Sequence, residues 1–358
     1  MSTHVIGIMS GSSLDGLDIA LCQFEEKGNS LLWEIMDSTT IPYTDQWYDL
    51  LKSASNLSGR DLMHLDAYFG DFIGEQTKKL IDARGWKADY VASHGHTVFH
   101  EPALGFTTQI GSGAHISLMT GLDTITSFRN SDVAAGGQGA PFSPVADRTL
   151  FSGYEGFLNL GGIANVTLID KNEIWHAWDI CPCNQTLNFL SQRANLPFDK
   201  GGHMASQGAI LDEIGQQLIA MYPFDAGLPR GLSNAEVAST WISYLESRTE
   251  NTHDLLGTTT QSIADVISIH ISSLIKRPAK ILVTGGGVYN DHLIKLLQKA
   301  GQDFGITYEL PSPEIIDFKE SLLIAYLGYL TMNGKPYNIH TLTGASQNMG
   351  GGALYKAV

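Results

Sequence analysis

The feature that most constrains the fold of this chain is a strand–glycine turn–strand unit that occurs twice. In the first unit, two apolar runs, Val5 to Met9 and Leu17 to Cys22, flank a tight polar turn. In the second, Gly156 to Leu160 and Val166 to Asp170 flank the turn Gly161 to Asn165, about 150 residues later. Each pattern predicts a β-hairpin. The repeat predicts duplicated α/β domains that face each other, with two amide-rich turns able to hold a polyphosphate between them.

The first turn has the composition of a phosphate site, because its backbone N–H groups and hydroxyls can surround an anion. The turn carries Gly11, Ser12, Ser13, Asp15 and Gly16, and Asp18 follows on the second strand. Asp15 and Asp18 favour a Mg²⁺–phosphate pair, since Mg²⁺ is held by few carboxylates, waters and the substrate's phosphates. The alternative is an ordinary turn in which glycine supplies a positive φ.

Length and composition limit the classes of protein. The 358 residues predict two domains, and 43% hydrophobic with 16% charged residues predicts packed cores. A formal net charge of −15 argues against nucleic acid or an anionic membrane as partner, although backbone amides can still form a local phosphate site.

The expected location is the cytoplasm. Cys22, Cys181 and Cys183 form no disulfide framework, which fits a reducing compartment. The N-terminal residues lack a basic segment followed by a long apolar one, so we expect no signal peptide. No run of about 18 apolar residues occurs, so we expect no membrane span.

Strands and helices alternate through the first half, which predicts an α/β domain. The short strand Asp89 to Ser93 opens into His94-Gly95-His96-Thr97. Residues two apart on a strand face the same side, so His94 and His96 could bind a metal, with His100 nearby. Zinc sites need three or four ligands, and no further ligand stands at a recognised spacing. We therefore favour a pocket in which His and Thr bind a polar ligand.

Arg129 follows the strand Asp123 to Phe128 and precedes a loop of small residues, Val133 to Pro141. This position suits bidentate capture of a carboxylate or phosphate, and a surface ion pair with Asp132 is the alternative. The loop is also the best domain boundary. We expect a first domain at 1–135 and a second at 136–335, with the tail 336–358 packing back on the first.

Two further features of the second half could form a site. Asp179 ends a strand in front of a helix, where cleft chemistry is usually found; it could instead cap that helix, although Pro182 and Asn184 lie closer to the helix start. Three glycines, Gly285, Gly286 and Gly287, stand between a buried strand and a helix, which lets a flat ring or phosphate approach the backbone. The Rossmann and P-loop fingerprints are absent. Cys181 and Cys183 are expected to be packing residues.

Six motifs, in order along nearly the whole chain, resemble those of the anhydro-N-acetylmuramic acid kinase family. They stand at Gly7 to Asp18, Ser93 to Thr97, Phe128 to Pro141, Asn159 to Thr167, Asp179 to Asn184 and Gly285 to Asn290. The resemblance implies two duplicated actin-like (ribonuclease H-like) domains around a nucleotide cleft. It further implies ATP-dependent conversion of 1,6-anhydro-N-acetylmuramic acid to N-acetylmuramic acid 6-phosphate with opening of the anhydro bridge, in peptidoglycan recycling.

The resemblance also implies roles for residues. Asp179 would be the general base that activates water, and Gly11 to Asp18 would bind the ATP phosphates, with Mg²⁺ held through them and Asp15 or Asp18 as a possible ligand. Asn159, Gly161 and Gly162 would form a second phosphate loop, and Gly285, Gly286 and Gly287 would lie near adenosine. Thr97, Arg129 and Glu320 would bind the sugar, Arg129 at the lactyl carboxylate. A homodimer is expected.

The chain departs from the family pattern at three places. Cysteines stand at 181 and 183 where glycines are usual, His96 stands where Gln is usual, and the Arg230 region differs from the usual Lys-Ser-Thr-Gly. The alternatives are a kinase of a related sugar, a nucleotide-gated binding protein of the same fold, and a metal hydrolase centred on His94 and His96.

Overall fold

The computed structural model describes residues 2–11, 14–28, 30–222 and 231–357. The chain divides into two compact units: unit 1 comprises Met1–Ser152 and Phe318–Val358, and unit 2 comprises Gly153–Asp317. This division differs from the one expected from the sequence. The loop at 133–141 lies inside unit 1, and the helix that includes Phe318 returns to unit 1 before the expected boundary at 335.

Strands and helices alternate along the described residues. The strands are β1 Ser2–Ser10, β2 Gly16–Lys27, β3 Ser30–Pro42, β4 Tyr90–Glu101, β5 Phe106–Ile110, β6 Asp123–Thr126, β7 Gly156–Leu160, β8 Ile163–Ile169, β9 Trp175–Pro182, β10 Ala279–Thr284, β11 Ile306–Glu309 and β12 Ala353–Tyr355. The helices are α1 Asp45–Ser53, α2 Gly59–Arg84, α3 Gly113–Thr120, α4 Asn130–Ala134, α5 Ser143–Leu150, α6 Asn184–Gln192, α7 Asp212–Ala220, α8 Asn234–Val237, α9 Ser243–Glu246, α10 Thr252–Leu274, α11 Asp291–Asp303, α12 Pro313–Met332 and α13 His340–Thr343.

Unit 1 is built on a sheet with the order β12-β6-β4-β1-β2-β3, and β5 pairs with β4. The first three strands form an antiparallel meander, whereas β4 runs parallel to β1 and β6 runs parallel to β4. The buried faces of β1 and β2 pack against α2 through Ile6, Ile19 and Phe69, each fully buried. Burying these apolar surfaces is what holds the helix on the sheet.

Unit 2 repeats the same arrangement with the order β11-β10-β7-β8-β9. Here too the first three strands form an antiparallel meander, and β10 and β11 run parallel to β7 and to each other. Its core collects Leu158, Val166 and Ile281 from the sheet and Ile263 and Ile267 from α10. Both units therefore have the ribonuclease H-like strand order, and the predicted α/β fold with a duplicated domain is confirmed.

Helix α12 lies against the middle of β1 in unit 1, and Gly7 makes this close contact possible. A Cβ atom added at Gly7 would stand 2.0 Å from the carbonyl oxygen of Ser321 and 2.9 Å from the Cβ of Ala325. The hydroxyl of Ser321 also donates to the carbonyl of Asp18 at 3.1 Å, which ties α12 to β2. The absence of a side chain at Gly7 lets α12 approach the sheet, and polar contacts from Ser321 and from Tyr329, whose hydroxyl donates to Glu26 on β2 at 2.9 Å, hold it there.

The C-terminal tail belongs to unit 1. Strand β12 pairs antiparallel with β6, opposing Ala353 to Thr126 and Tyr355 to Thr124. The ring of Tyr355 lies against Gly113, where a Cβ would come within 2.4 Å of it. Within the described residues, no helix combines the length and the apolar character that crossing a membrane requires.

Candidate functional site

The described residues of the β1–β2 turn of unit 1 include one with a left-handed backbone, and it is a leucine rather than a glycine. Leu14 adopts a positive φ of 58°, and its N–H lies 3.4 Å from the Gly11 carbonyl. A Cβ at Gly16 would approach the carbonyl of Ile41 to 2.7 Å, because β3 is the neighbouring strand of the sheet and lies close to this position. Ser12 and Ser13, two of the predicted phosphate ligands, lie outside the described residues.

Asp18 and Glu320 place two carboxylates near each other in unit 1. Asp18 lies on β2 opposite Met9, and its Oδ1 accepts from the Thr40 hydroxyl at 2.5 Å. The pKa of Glu320 is raised because nearby protein desolvates the carboxyl and Asp18 adds negative charge, while Arg129 and Lys319 act in the opposite direction. Two acidic groups so arranged favour the approach of a cation or a hydroxyl-rich ligand.

A glycine bulge interrupts β4 between the two histidines. Gly95 has a φ of +69°, and a Cβ there would lie 2.2 Å from the carbonyl of Ile110, so only glycine fits. His96 forms a hydrogen bond to the Ser10 hydroxyl through Nδ1 at 3.2 Å, and Thr97 receives a contact of 3.4 Å from the Gln109 amide. The assumption of a regular strand, with His94 and His96 on one face, is therefore wrong.

Arg129 is the cation of this part of unit 1, and His94 is its partner. Its Nε donates to Nε2 of His94 at 2.9 Å, and its Nη1 donates to the carbonyl of Gly139 at 2.6 Å. Its Cζ lies 5.5 Å from the ring centroid of Phe142. Arg129 thus lies where the sequence predicts it, after a strand and beside the glycine-rich loop, and two of its guanidinium nitrogens form hydrogen bonds.

Asp132 organises the loop that carries Gly139. Its buried carboxylate accepts from the Gly139 N–H at 2.7 Å and from the Thr343 hydroxyl at 2.7 Å. A Cβ on Gly137 would come within 2.2 Å of the same carboxylate. The surface ion pair between Arg129 and Asp132, considered as an alternative, is therefore not what the structure shows. Asp132 instead fixes the loop whose carbonyl binds Arg129.

His94 is held in its neutral form. Burial lowers its pKa to about 3, and the positive charge of Arg129 adds to this effect, as would His96 and His100 when protonated. Both ring nitrogens already have protein partners, because Nδ1 contacts the carbonyl of Gly95 at 3.0 Å and Nε2 contacts Arg129. No ring nitrogen of His94 is left for a metal ion.

We expect acid to destabilise unit 1 through His94. The unfolded histidine binds a proton near pH 6.5, whereas the folded one resists protonation down to about pH 3, so the free energy of unfolding falls as the pH drops below 6.5. Between pH 7 and pH 5 this single group contributes a loss of about 2 kcal/mol. Thermal unfolding at both pH values should show a smaller acid-induced drop in Tm for His94→Gln than for the wild type. Equal drops would contradict the assignment.

In unit 2, the β7–β8 turn and the three-glycine segment lie side by side. Thr284 at the end of β10 is the parallel partner of Asn159 at the end of β7. A Cβ on Gly285, whose φ is +87°, would stand 2.3 Å from Oδ1 of Asn159. A Cβ on Gly287 would stand 2.7 Å from the Leu160 side chain, whereas Gly286 faces open space. The structure therefore brings the predicted second phosphate loop and the predicted adenosine segment together.

The start of α6 joins the same group of loops. The carbonyls of Gly161 and Gly162 accept from the N–H groups of Asn184 and Cys183 at 3.1 and 2.8 Å, and the Asn184 amide donates to the carbonyl of Leu160 at 2.9 Å. Cys183 is the N-cap, without a side-chain capping bond. The expectation that Pro182 or Asn184 caps this helix is therefore wrong.

Asp179 lies in β9, in one row with two asparagines. Asn159, Asn165 and Asp179 are direct antiparallel partners on β7, β8 and β9, so their side chains point to the same side of the sheet. The Oδ2 atom of Asp179 accepts from the N–H of Leu232 at 2.8 Å, and Asp179 is half-buried. This hydrogen bond fixes the orientation of the Asp179 carboxyl group on β9. The Arg230 region, which precedes Leu232, lies outside the described residues.

The two cysteines beside Asp179 are inert. Cys181 and Cys183 are fully buried and unpaired with each other, and burial raises the pKa of both thiols. A thiol that stays protonated is a poor nucleophile and a poor metal ligand. Across the described ranges, no group of three or more His, Cys, Asp and Glu side chains is placed to hold a metal ion.

Some supporting residues could not be found from the sequence. The buried carboxylate of Asp199 accepts from the N–H groups of Met204 and Ala205 at 2.9 Å each, and so shapes a loop beside α11. Gly202 in that loop has a φ of +70° and lies against Asn290. In the sequence, the Gly201-Gly202 pair indicates a turn there but does not identify Asp199 as the residue that holds it. Nothing in the sequence indicates Thr343 in the tail, because its partner Asp132 is remote in sequence.

A family model and several curated relatives match this chain over nearly its whole length. The family model described as anhydro-N-acetylmuramic acid kinase matches residues 3–357. The chain belongs to the anhydro-N-acetylmuramic acid kinase family. An anhydro-N-acetylmuramic acid kinase of Legionella pneumophila (strain Corby) is 31% identical, with 99% of this chain and 98% of the relative covered. Those of Methylorubrum extorquens and Bacillus cereus (strain AH187) are each 30% identical, covering 98% and 97% of this chain and 98% and 97% of the relative, respectively.

As a member of the anhydro-N-acetylmuramic acid kinase family, the chain is a phosphotransferase that uses a nucleotide. A binding protein that uses ATP for closure alone is therefore not favoured. The family match covers both units. It therefore includes Arg129 and Glu320 in unit 1, and it includes Asp179 and the two glycine turns in unit 2.

Proposed function

We propose that this chain uses ATP to convert 1,6-anhydro-N-acetylmuramic acid to N-acetylmuramic acid 6-phosphate, with water opening the anhydro bridge, in peptidoglycan recycling. The family match supports this substrate. The observation that carries the mechanism is Asp179, whose carboxylate is oriented by the Leu232 N–H at 2.8 Å. The family match does not favour the alternative, a kinase of a related sugar, and a panel of sugars tests it directly.

The substrate dictates an unusual reaction. Its O6 is bonded to the anomeric carbon, so no free 6-hydroxyl exists to attack ATP. In the proposed step, Asp179 takes a proton from water, the water oxygen bonds to C1, the C1–O6 bond breaks, and O6 takes the γ-phosphoryl group while ADP leaves. The proton held by Asp179 is afterwards released to solvent. Every bond broken is thus matched by one formed.

Each remaining part of the site has a binding role in this proposal. The backbone of the β1–β2 turn and the Asn159–Gly162 turn bind the nucleotide phosphates, and Gly285, Gly286 and Gly287 admit the adenosine. Thr97, Arg129 and Glu320 bind the sugar. The positive charge of Arg129, bonded to neutral His94 and to the Gly139 carbonyl, suits the lactyl carboxylate.

Mg²⁺ fits the acidic side of the β1–β2 hairpin. Asp18 is a carboxylate next to a second acidic group, Glu320, whose pKa is raised partly by the Asp18 charge, and a divalent cation would relieve that repulsion. Asp15 or Asp18 would hold it, and when bound it neutralises charge on the ATP phosphates. The three buried free cysteines support a reducing compartment, the cytoplasm. The homodimer stays a prediction.

The test is phosphate transfer from γ-labelled ATP, run in ¹⁸O-water with Mg²⁺, to a panel of free and anhydro amino sugars. We expect label on the anhydro-sugar, with one ¹⁸O at C1 and none in the phosphate ester of the freshly formed product. Phosphorylation of free sugars only, without ¹⁸O at C1, would reject the ring-opening reaction. Chelation with EDTA should stop transfer, and added Mg²⁺ should restore it.

A further inference from the structure

The guanidinium of Arg129 is bound only by neutral acceptors through its hydrogen bonds in the described part of the chain. Nε is bonded to a histidine ring and Nη1 to a backbone carbonyl. Within residues 2–11, 14–28, 30–222 and 231–357, no hydrogen bond is made by Nη2, and no carboxylate forms an ion pair with this arginine. The side chain is thus fixed in place by neutral groups, and the carboxylate that acts on its charge, Glu320, does so without a hydrogen bond to it in the described residues.

The hydrogen bonds of His94 determine its tautomer. Nε of an arginine always carries a hydrogen, so Nε2 of His94 must be the acceptor in the 2.9 Å contact. The hydrogen of the neutral ring is then on Nδ1, which donates to the carbonyl of Gly95 at 3.0 Å. The bulge at Gly95, which only a glycine can form, turns that carbonyl toward the ring. The local backbone therefore selects the ring form that can accept from Arg129.

A neutral acceptor has a consequence that a carboxylate in its place would not have. An aspartate or glutamate bonded to Nε would orient Arg129 equally well but would also neutralise it and compete with an anionic ligand. A protonated histidine could not accept at all. Neutral His94, like the carbonyl of Gly139, orients the guanidinium without neutralising it.

We propose that His94 is a positioning residue that fixes Arg129 through a neutral hydrogen bond, for the carboxylate of an anionic sugar. This inference rests on the proposed function, because it assigns the ligand of Arg129 to the sugar acid. His94 itself touches neither the sugar nor the nucleotide in this proposal. It acts through the Nε bond, while Gly139, held by Asp132, fixes Nη1 from the other side.

The test is a double-mutant cycle of His94→Phe and Arg129→Gln, with KM for the anhydro-sugar acid and for ATP measured separately. We expect His94→Phe to raise the sugar KM about 10- to 100-fold, the effect of weakening one charge-assisted contact, and to change the ATP KM less than about 2-fold. In the Arg129→Gln background, His94→Phe should add less than about 3-fold. His94→Gln keeps an acceptor and should recover most of the loss.

Matched controls separate the possible outcomes. His115→Gln, on the surface of α3 where His115 pairs with Asp71, should leave both KM values unchanged. If His94→Phe does not fold, His94→Met fills the volume without a strong acceptor and takes its place. Additive effects of the two mutations, an equal rise in the ATP KM, or no recovery with His94→Gln would overturn the positioning role. Failure of the proposed function is distinct, since the wild type would then transfer no phosphate to the anhydro-sugar acid.

Discussion

Asp179→Asn should reduce phosphate transfer to the anhydro-sugar by about 10²- to 10⁴-fold, the contribution of a general base. Asparagine cannot take a proton from water, but its Oδ1 can still accept from the Leu232 N–H, so the fold around β9 should persist. The initial rate of label transfer from γ-labelled ATP measures the effect, and the ATP KM should change little.

Asp170→Asn is the matched control for this change. Asp170 lies in the same unit, accepts from the backbone N–H groups of Asn172 and Ile174, and contacts His176. Its replacement should leave the rate of transfer within about 2-fold of the wild type, because no reacting group depends on it. A rate for Asp179→Asn within 5-fold of the wild type would remove Asp179 from the role of base.

Lys319→Met should destabilise unit 1 by about 3–5 kcal/mol, the range observed when one member of a buried ion pair is removed. The Nζ atom of Lys319 lies 2.7 Å from Oδ1 of Asp147, and the side chains are only 13% and 2% exposed. The variant would leave a buried carboxylate without its cation. Urea or thermal unfolding, followed with a spectroscopic probe placed in unit 1, measures the loss in the free energy of unfolding.

The pH dependence of this variant tests the cause. Burial raises the pKa of Asp147 even beside Lys319, so without the lysine the carboxyl should take up a proton more easily in the folded state. The deficit of Lys319→Met relative to the wild type should therefore shrink as the pH falls from 7 to 5. Asp147→Leu combined with Lys319→Met should recover most of the stability. Lys335→Met, which breaks the exposed pair with Glu26, should change the stability little.

Much of the fold could be predicted because its determinants are local in sequence. The apolar runs around the turns at Gly11 to Gly16 and at Gly161 to Gly162 specify the two hairpins, and their repetition specifies two similar units. The unit boundary could not be predicted from the small-residue loop at 133–141. The residues of that loop are small because the loop packs closely against the carboxylate of Asp132, which also accepts from Thr343. A flexible linker would have the same composition, so composition alone does not distinguish the two.

The candidate site was predicted in part for the same reason. Asp179 and the glycine segments stand at strand ends, which sequence patterns reveal. The pairing of His94 with Arg129 was missed because it depends on the bulge at Gly95, and a regular strand would have turned the ring elsewhere. The caps of α6 were missed because the turn carbonyls of Gly161 and Gly162, distant in sequence, receive its first N–H groups.

The route of the chain through unit 1 bears on how the protein is made. Strand β1 leaves the ribosome before unit 2, whereas most of α12, which covers β1 at Gly7, and all of β12, which extends its sheet, leave after unit 2. Unit 2, which ends at Asp317 in the first turns of α12, is synthesised between β1 and the part of α12 that belongs to unit 1. During translation, unit 2 therefore has every residue it needs before unit 1 does, and the half begun first is completed last.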